Sequence, residues 1–99
     1  MRLYFTLLAC EELREAKLYY NHLQKGLGAH LQAEAQAAAK TIVDNPLAWQ
    51  VERGDIRRFL LNRFPYKILY AIEDGKVIVL AVMHQHRQPD YWVDRIKTS

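Results

Sequence analysis

A chain of 99 residues with a formal net charge of +3 is long enough for one domain and too apolar to be disordered. Its hydrophobic fraction is 51% and its charged fraction is 25%, which are ordinary values for a globular protein. Cys10 is the single cysteine, which excludes an internal disulfide and a cysteine-rich metal site. The N-terminal stretch is too interrupted for a signal peptide, and no apolar run of about 18 residues exists. We therefore expect one domain over residues 1–99, no membrane contact and a cytoplasmic location.

The charge is distributed unevenly along the chain. Residues 1–50 contain five Lys/Arg and five Asp/Glu, whereas residues 51–99 contain nine and six. All of the net charge therefore lies in the second half, where a positive patch would attract nucleic acid or an acidic protein segment. A solvated surface with a slight excess of arginine explains the same counts.

The first half predicts a strand followed by two helices. Apolar residues alternate from Arg2 to Leu7, as in a strand, and from Glu11 onward they recur at three- and four-residue steps, as in a helix. The first helical stripe is Leu13, Ala16, Tyr20 and Leu23, preceded by glutamates that suit the positive end of a helix dipole. The second stripe is Leu27, Leu31, Ala35, Ala38, Ile42 and Val43, ended by Asn45-Pro46. The glycines between the stripes predict a short connection and hence antiparallel helices.

The second half predicts three strands, over residues 55–61, 64–73 and 76–84. Asp74-Gly75 between two apolar runs is the strongest short-range signal for a β-hairpin. Residues 47–54 are predicted as a loop, with Trp49 folded back onto the core. After the last strand, Pro89 and a short amphipathic run from Asp90 to Ile96 remain.

A two-residue turn pairs Glu73 with Lys76, and uninterrupted pairing from there assigns a face to every side chain. One face is apolar throughout and should receive the helices: Tyr66, Ile68, Tyr70, Ile72, Val77, Val79, Ala81 and Met83. The other face is partly apolar but carries Lys67 and His84 at one end. Lys67 should lie opposite Val82 with His84 as its diagonal neighbour, a surface suited to a partner.

The sequence contains no phosphate-binding loop, dinucleotide-binding glycine motif, zinc-protease motif or nucleophile elbow. His84 and His86 could lie on one side of an extended strand as two metal ligands, but no carboxylate stands beside them, so we expect no metal.

RNA cleavage without a metal needs a base, an acid and cations that stabilise the phosphorane. Lys67, Arg58 and Arg87 could supply charge, while His84, His86 or Tyr91 could transfer protons or stack on a base. Structural roles compete with each of these. Lys67 could be a solvated strand lysine, and Arg58 and Arg63 could pair with Asp55 or Glu52. Both imidazoles could cap the strand end, and Tyr91 and Trp92 could close the core.

In order and spacing, these segments resemble the RelE/ParE superfamily of toxins from bacterial type II toxin–antitoxin systems. The resemblance covers nearly the whole chain and rests on these phrases: E-L-R-E-A-K-L-Y-Y (12–20), G-L-G (26–28), I-V-D-N-P (42–46), D-I-R-R (55–58), R-F-P-Y-K-I-L-Y (63–70), V-I-V-L-A-V-M-H (77–84) and R-Q-P-D-Y-W (87–92). It implies an α+β fold, in which an N-terminal strand and an αα-hairpin pack on a small, mainly antiparallel sheet.

The superfamily contains two activities. RelE-like members cut mRNA on the ribosome, and for them the resemblance implies these catalytic positions: Arg58, Lys67, His84, Arg87 and Tyr91. ParE-like members poison DNA gyrase without chemistry of their own, and for them we expect these target-binding positions: Arg57, Arg63, His86, Arg87, Tyr91 and Trp92. For the antitoxin we expect these contact positions: Arg57, Arg58, Leu69 and Leu80.

Gln85 stands near the place where RelE-like enzymes carry a strand-end arginine, and the R-x-P-x-Y-W ending is closer to the ParE-like, plasmid-stabilisation branch. We therefore favour a gyrase-poisoning toxin with a cognate antitoxin, no cofactor and a higher-order toxin–antitoxin complex. The alternatives are a ribosome-dependent mRNA endoribonuclease, and a degenerate, non-toxic member that acts only within the antitoxin complex.

Overall fold

The computed structural model of the protein describes residues 1–87. The expectations for the amphipathic run from Asp90 to Ile96, including Tyr91 and Trp92, fall outside the described residues. Within residues 1–87 the elements are β1 (Arg2–Phe5), α1 (Leu7–Leu23), α2 (Leu27–Asp44), β2 (Val51–Arg53), β3 (Ile56–Leu60), β4 (Tyr66–Glu73) and β5 (Lys76–His84).

The five strands form one sheet in the order β1-β5-β4-β3-β2. β1 runs parallel to β5, and the other neighbouring pairs are antiparallel. The predicted α+β class and the mainly antiparallel sheet are confirmed. The expectation of a loop over residues 47–54 was wrong in part, because β2 lies within that range as a short edge strand.

α1 begins four residues earlier than the pattern predicted. Thr6 is the N-cap, and its hydroxyl accepts a hydrogen bond from the backbone N–H of Ala9 at 3.1 Å. The N-terminal strand, which was predicted to reach Leu7, therefore ends at Phe5. The first turn contains no acidic residue, and the glutamates we assigned to the dipole lie further along the helix. Leu23, expected in the buried stripe, is 62% exposed.

The two helices form the predicted αα-hairpin and approach each other closely at Gly28. The backbone N–H of Gly28 donates to the side-chain oxygen of Asn21 at 2.8 Å. A Cβ at this position would lie 2.5 Å from the backbone oxygen of Lys17. A glycine is therefore required here by space.

The helices cover the face of the sheet that was predicted to receive them. Ile68, Tyr70, Val77 and Val79 of the sheet are fully buried in one cluster with residues of both helices. The Tyr70 hydroxyl donates to the carbonyl oxygen of Pro46 at 2.6 Å and ties the end of α2 to the sheet. Trp49 is half-buried against Phe59, with ring centroids 4.7 Å apart, as predicted for a residue folded back onto the core.

The predicted register holds near the turn and fails beyond a β-bulge in β5. Asp74 and Gly75 both have positive φ, 52° and 72°, which is the two-residue turn that the sequence indicated. Pairing is regular from Glu73↔Lys76 to Tyr70↔Val79, but the next residue of β4, Leu69, faces Ala81. Leu80 is thus the additional residue of a bulge.

Every side chain of β5 after the bulge lies on the face opposite to the predicted one. Lys67 faces Met83 instead of Val82, and His84 faces Tyr66. Val82 joins the core under the helices. The second face of the sheet has a buried cluster of its own: Ile56, Leu69, Leu80, Ala81 and Met83. The expectation that Lys67 and His84 are diagonal neighbours was therefore wrong.

Candidate functional site

On the sheet face opposite the helices, one carboxylate holds two of the predicted catalytic cations. Glu52 of β2 accepts a hydrogen bond from the Lys67 ammonium at 2.9 Å and from the Arg58 guanidinium at 3.1 Å, through different oxygens. These residues come together because β2, β3 and β4 are consecutive neighbours in the sheet. Of the partners named for Arg58 from the sequence, Glu52 is the one it contacts.

In this three-residue group, Glu52, Arg58 and Lys67, the Lys67–Glu52 pair is largely removed from solvent, whereas the Arg58 side chain is 30% exposed. Lys67 is 9% exposed, and the side chain of Glu52 is 11% exposed. Burial alone would raise the pKa of the Glu52 carboxyl, but the hydrogen bonds and charges of Lys67 and Arg58 outweigh that effect and lower it. The expectation of a solvated strand lysine was wrong, and Lys67 is a buried, paired cation.

The end of β5 forms a second group on the helix-covered side. The ring of His84 lies edge-on to Tyr66 at 5.5 Å, and its Nδ1 accepts the backbone N–H of His86 at 3.1 Å. A cleft of about 240 Å³ opens here, lined by residues of α1 and the strand ends: Glu12, Glu15, Ala16, Tyr19, Tyr66, Val82, Met83, His84 and Arg87.

Burial raises the pKa of the Tyr66 hydroxyl, and the neighbouring tyrosines raise it further, while Arg87 lowers it. Burial likewise raises the pKa of the Tyr20 hydroxyl. Both phenols therefore stay protonated at neutral pH and are hydrogen-bond donors instead of bases.

The structure divides the predicted catalytic positions between two sides of the sheet. Arg58 and Lys67 lie on one face, whereas His84 and Arg87 line the cleft beside α1 on the other. Tyr91 lies outside the described residues.

The predicted target-binding and antitoxin-binding arginines contact separate parts of the chain. Arg57 donates to the carbonyl oxygen of Trp49 at 2.6 Å. Arg63 lies 3.7 Å from a carboxylate oxygen of Glu34 in α2, not beside Glu52 or Asp55, and its side chain is 68% exposed. His86 and Arg87 are exposed, and Trp92 lies outside the described residues.

Sequence reasoning missed Glu34 altogether and missed Glu52 as the partner of Lys67. The carboxylate of Glu34 accepts the backbone N–H groups of Asn62 and Arg63 and so orders the β3–β4 connection. Nothing in the spacing relates α2 to this loop. Glu52 lies on β2, which is separated from β4 by β3, and because residues 47–54 were predicted as a loop, nothing in the sequence brought Glu52 to Lys67.

An apolar cleft of about 380 Å³ lies between β1 and the two helices. Its lining is Leu3, Phe5, Leu13, Ala35, Gln36, Ala39, Lys40 and Val43. β1 is an edge strand, so its outer backbone groups are available to a partner. An apolar cleft beside a strand edge suits a polypeptide segment better than a small charged substrate.

Within residues 1–87, no three or more His, Cys, Asp or Glu side chains are grouped so that they could hold a metal ion. In the same part of the chain, neither helix is long and apolar enough to cross a membrane.

Comparison with known proteins agrees with the architecture. The profile of the ParE toxin family, described as the toxin of the type II toxin–antitoxin system parDE, matches residues 3–89. The chain therefore belongs to the ParE toxin family of type II toxin–antitoxin systems.

A solved structure of a chromosomal ParDE system from P. aeruginosa superposes with a TM-score of 0.76 at 19% identity. The match covers 85% of this chain and 95% of that one and shows a shared fold. No curated protein sequence matches the chain.

Proposed function

We propose that this protein is the growth-inhibiting toxin of a type II toxin–antitoxin module, that it poisons DNA gyrase in the cytoplasm, and that a cognate antitoxin neutralises it. Membership of the ParE toxin family over residues 3–89 supports the toxin role.

The observation that favours gyrase over mRNA as the target is the ion pair between Lys67 and Glu52. A metal-free ribonuclease needs cations that are free to meet the phosphorane charge. Here the ammonium of Lys67 is buried and lies 2.9 Å from a carboxylate oxygen. The imidazole of His84 lies on the opposite side of the sheet from this lysine, so the two groups face different surfaces in this arrangement. Both facts support a toxin that acts by binding.

The apolar cleft between β1 and the helices is the surface that we propose for the antitoxin. An amphipathic segment could place its apolar side in the cleft and pair with the edge of β1. Leu69 and Leu80 are 0% and 6% exposed in the isolated chain, so we assign the main apolar contact to the cleft instead of these two residues. Arg57, Arg58 and Arg63 remain the proposed electrostatic contacts.

The test compares two reactions with purified protein. We expect inhibition of gyrase supercoiling and no cleavage of mRNA on translating ribosomes. Lys67→Ala, checked for folding by circular dichroism, should retain gyrase inhibition, as should the control Lys76→Ala on the exposed end of β5. Cleaved mRNA that disappears in Lys67→Ala but not in Lys76→Ala would instead identify a ribonuclease. Absence of both reactions and of growth inhibition would identify a degenerate member.

A further inference from the structure

We propose that Glu12 of α1 is a positioning residue that holds the bulge of β5 and thereby decides on which side of the sheet His84 lies. The consequence for activity rests on the proposed function, because the bulge also orients the strand end that leads to His86 and Arg87. The bulge itself is a property of the fold that can be tested separately.

The start of α1 contacts β5 across the bulge. The backbone N–H of Thr6 donates to the carbonyl oxygen of Val79 at 3.0 Å, and its hydroxyl donates to the carbonyl oxygen of Leu80 at 3.5 Å. Six residues further along, Glu12 Oε1 accepts the backbone N–H of Val82 at 3.0 Å. β1 pairs with β5 only as far as Phe5↔Val79, so beyond that point α1 supplies these contacts to the edge of β5.

The amino-acid pattern alone does not select the bulged register. Ala81, Val82 and Met83 are consecutive apolar residues, so both the bulged and the uninterrupted register place apolar side chains on both faces of the sheet. Register is weakly specified where the hydrophobic pattern does not alternate. In the bulged register Val82 enters the core under the helices, and Met83 joins the cluster on the other face. Uninterrupted pairing would exchange them and bring His84 to the face of Lys67.

Glu12 supplies the contact that distinguishes the two registers. Val82 is 2% exposed, so its N–H needs a partner within the protein. The carboxylate of Glu12 is that acceptor in the bulged register. Uninterrupted pairing would invert the orientation of residue 82 relative to the edge of the sheet, and the bond to Glu12 would be lost.

The experiment uses isotope-labelled full-length protein and nuclear magnetic resonance. The variants are Glu12→Ala, which removes the acceptor, and Glu12→Gln, which keeps a side-chain oxygen in place. The control is Glu15→Ala, which removes an exposed carboxylate that lines the same cleft. Two quantities are measured: the exchange rate of the Val82 amide hydrogen, and the cross-strand contact of Lys67 with either Met83 or Val82.

We expect the wild type, Glu12→Gln and Glu15→Ala to keep slow Val82 exchange and the Lys67–Met83 contact. In Glu12→Ala, the Lys67–Val82 contact should replace the Lys67–Met83 contact. A Lys67–Met83 contact that stays unchanged in Glu12→Ala, whether or not Val82 exchange accelerates, would overturn the proposal, as would a Glu12→Gln variant that behaves like Glu12→Ala. If Glu12→Ala does not fold, Glu12→Asp carries the same test, because its carboxylate is one methylene shorter. In Glu12→Asp, a Lys67–Val82 contact supports the proposal, and an unchanged Lys67–Met83 contact overturns it.

Activity is measured on the same variants. Gyrase inhibition should fall at least tenfold in Glu12→Ala, with antitoxin affinity unchanged, and should recover in Glu12→Gln. Inhibition that persists after the register has changed would overturn the positioning role. A wild-type protein that does not inhibit gyrase would refute the proposed function, while the resonance data would still decide the role of Glu12 in the bulge.

Discussion

At the scale of single residues, one contact changes what the side chain of Lys67 can bind. As an isolated strand lysine it could bind a phosphate, but its ammonium is buried and bonded to Glu52, which also holds Arg58. Removing one partner of such a group destabilises the protein, because the remaining buried charge is left without an opposite charge beside it. At this scale, the network leaves only 9% of Lys67 exposed to solvent.

Replacing Glu52 with Gln should lower the free energy of unfolding by about 3–5 kcal/mol at neutral pH, as for a broken buried ion pair. The pKa of Glu52 is lowered from its ordinary value of 4.5, so its contribution is complete above that pH and is lost as the pH falls through the folded-state value. Denaturant titrations should therefore show the difference between the variant and the wild type shrinking as the pH falls below 4.5.

Glu73→Gln, at the exposed end of β4, is the matched control and should change little at either pH. A difference between wild type and Glu52→Gln that is as large at pH 3 as at pH 7 would contradict the assigned role of the carboxylate.

At the scale of elements, the contact of α1 with α2 depends on the absence of a side chain. Gly28 lies against the backbone of Lys17, and its N–H is bonded to Asn21. Backbone cannot move aside as a flexible side chain can. The two helices are therefore held in close contact at Gly28.

Gly28→Ala should destabilise the protein by about 1–3 kcal/mol, because the new methyl group would overlap the Lys17 carbonyl. This direction is opposite to the gain that alanine normally gives inside a helix. Thermal unfolding measures the effect, with His30→Ala on the exposed side of α2 as control. A Gly28→Ala variant that is as stable as His30→Ala would show that the helices can separate without cost.

At the scale of the whole molecule, charge and apolar surface occupy different places. The apolar cleft lies between β1 and the helices, whereas Arg57, Arg58 and Arg63 belong to β3 and the connection after it. A partner that contacts both must extend over the helical hairpin and the sheet. Such an extended contact would bury more than about 1,000 Å², as a specific interface should.

Association of the toxin with its antitoxin should slow as the salt concentration rises, because acidic residues of the antitoxin would be drawn to these arginines. Stopped-flow measurements at low and high salt test this. Arg63→Gln should reduce the salt dependence most, since Arg63 is 68% exposed, while Lys25→Gln in the connection between the helices is the control. Association rates that do not change with salt would contradict the electrostatic contribution.

Local signals in the sequence determined most of the architecture. Helical periodicity, the Asn45-Pro46 break and the Asp74-Gly75 turn each depend on neighbours within a few residues, and the helical hairpin and the β4–β5 hairpin followed from them. The family, too, was identified from the order and spacing of short phrases along the chain.

Only the tertiary structure decided how distant residues meet. The bulge in β5 is invisible in an apolar run such as Ala81-Val82-Met83, and the contact that Glu12 makes with Val82 joins residues seventy positions apart. The partner of Lys67 depends on β2, a strand of three residues that is too short to carry a periodic signal. Contacts between distant parts of the chain fix register and pairing, and these decided that Lys67 and His84 lie on opposite sides of the sheet.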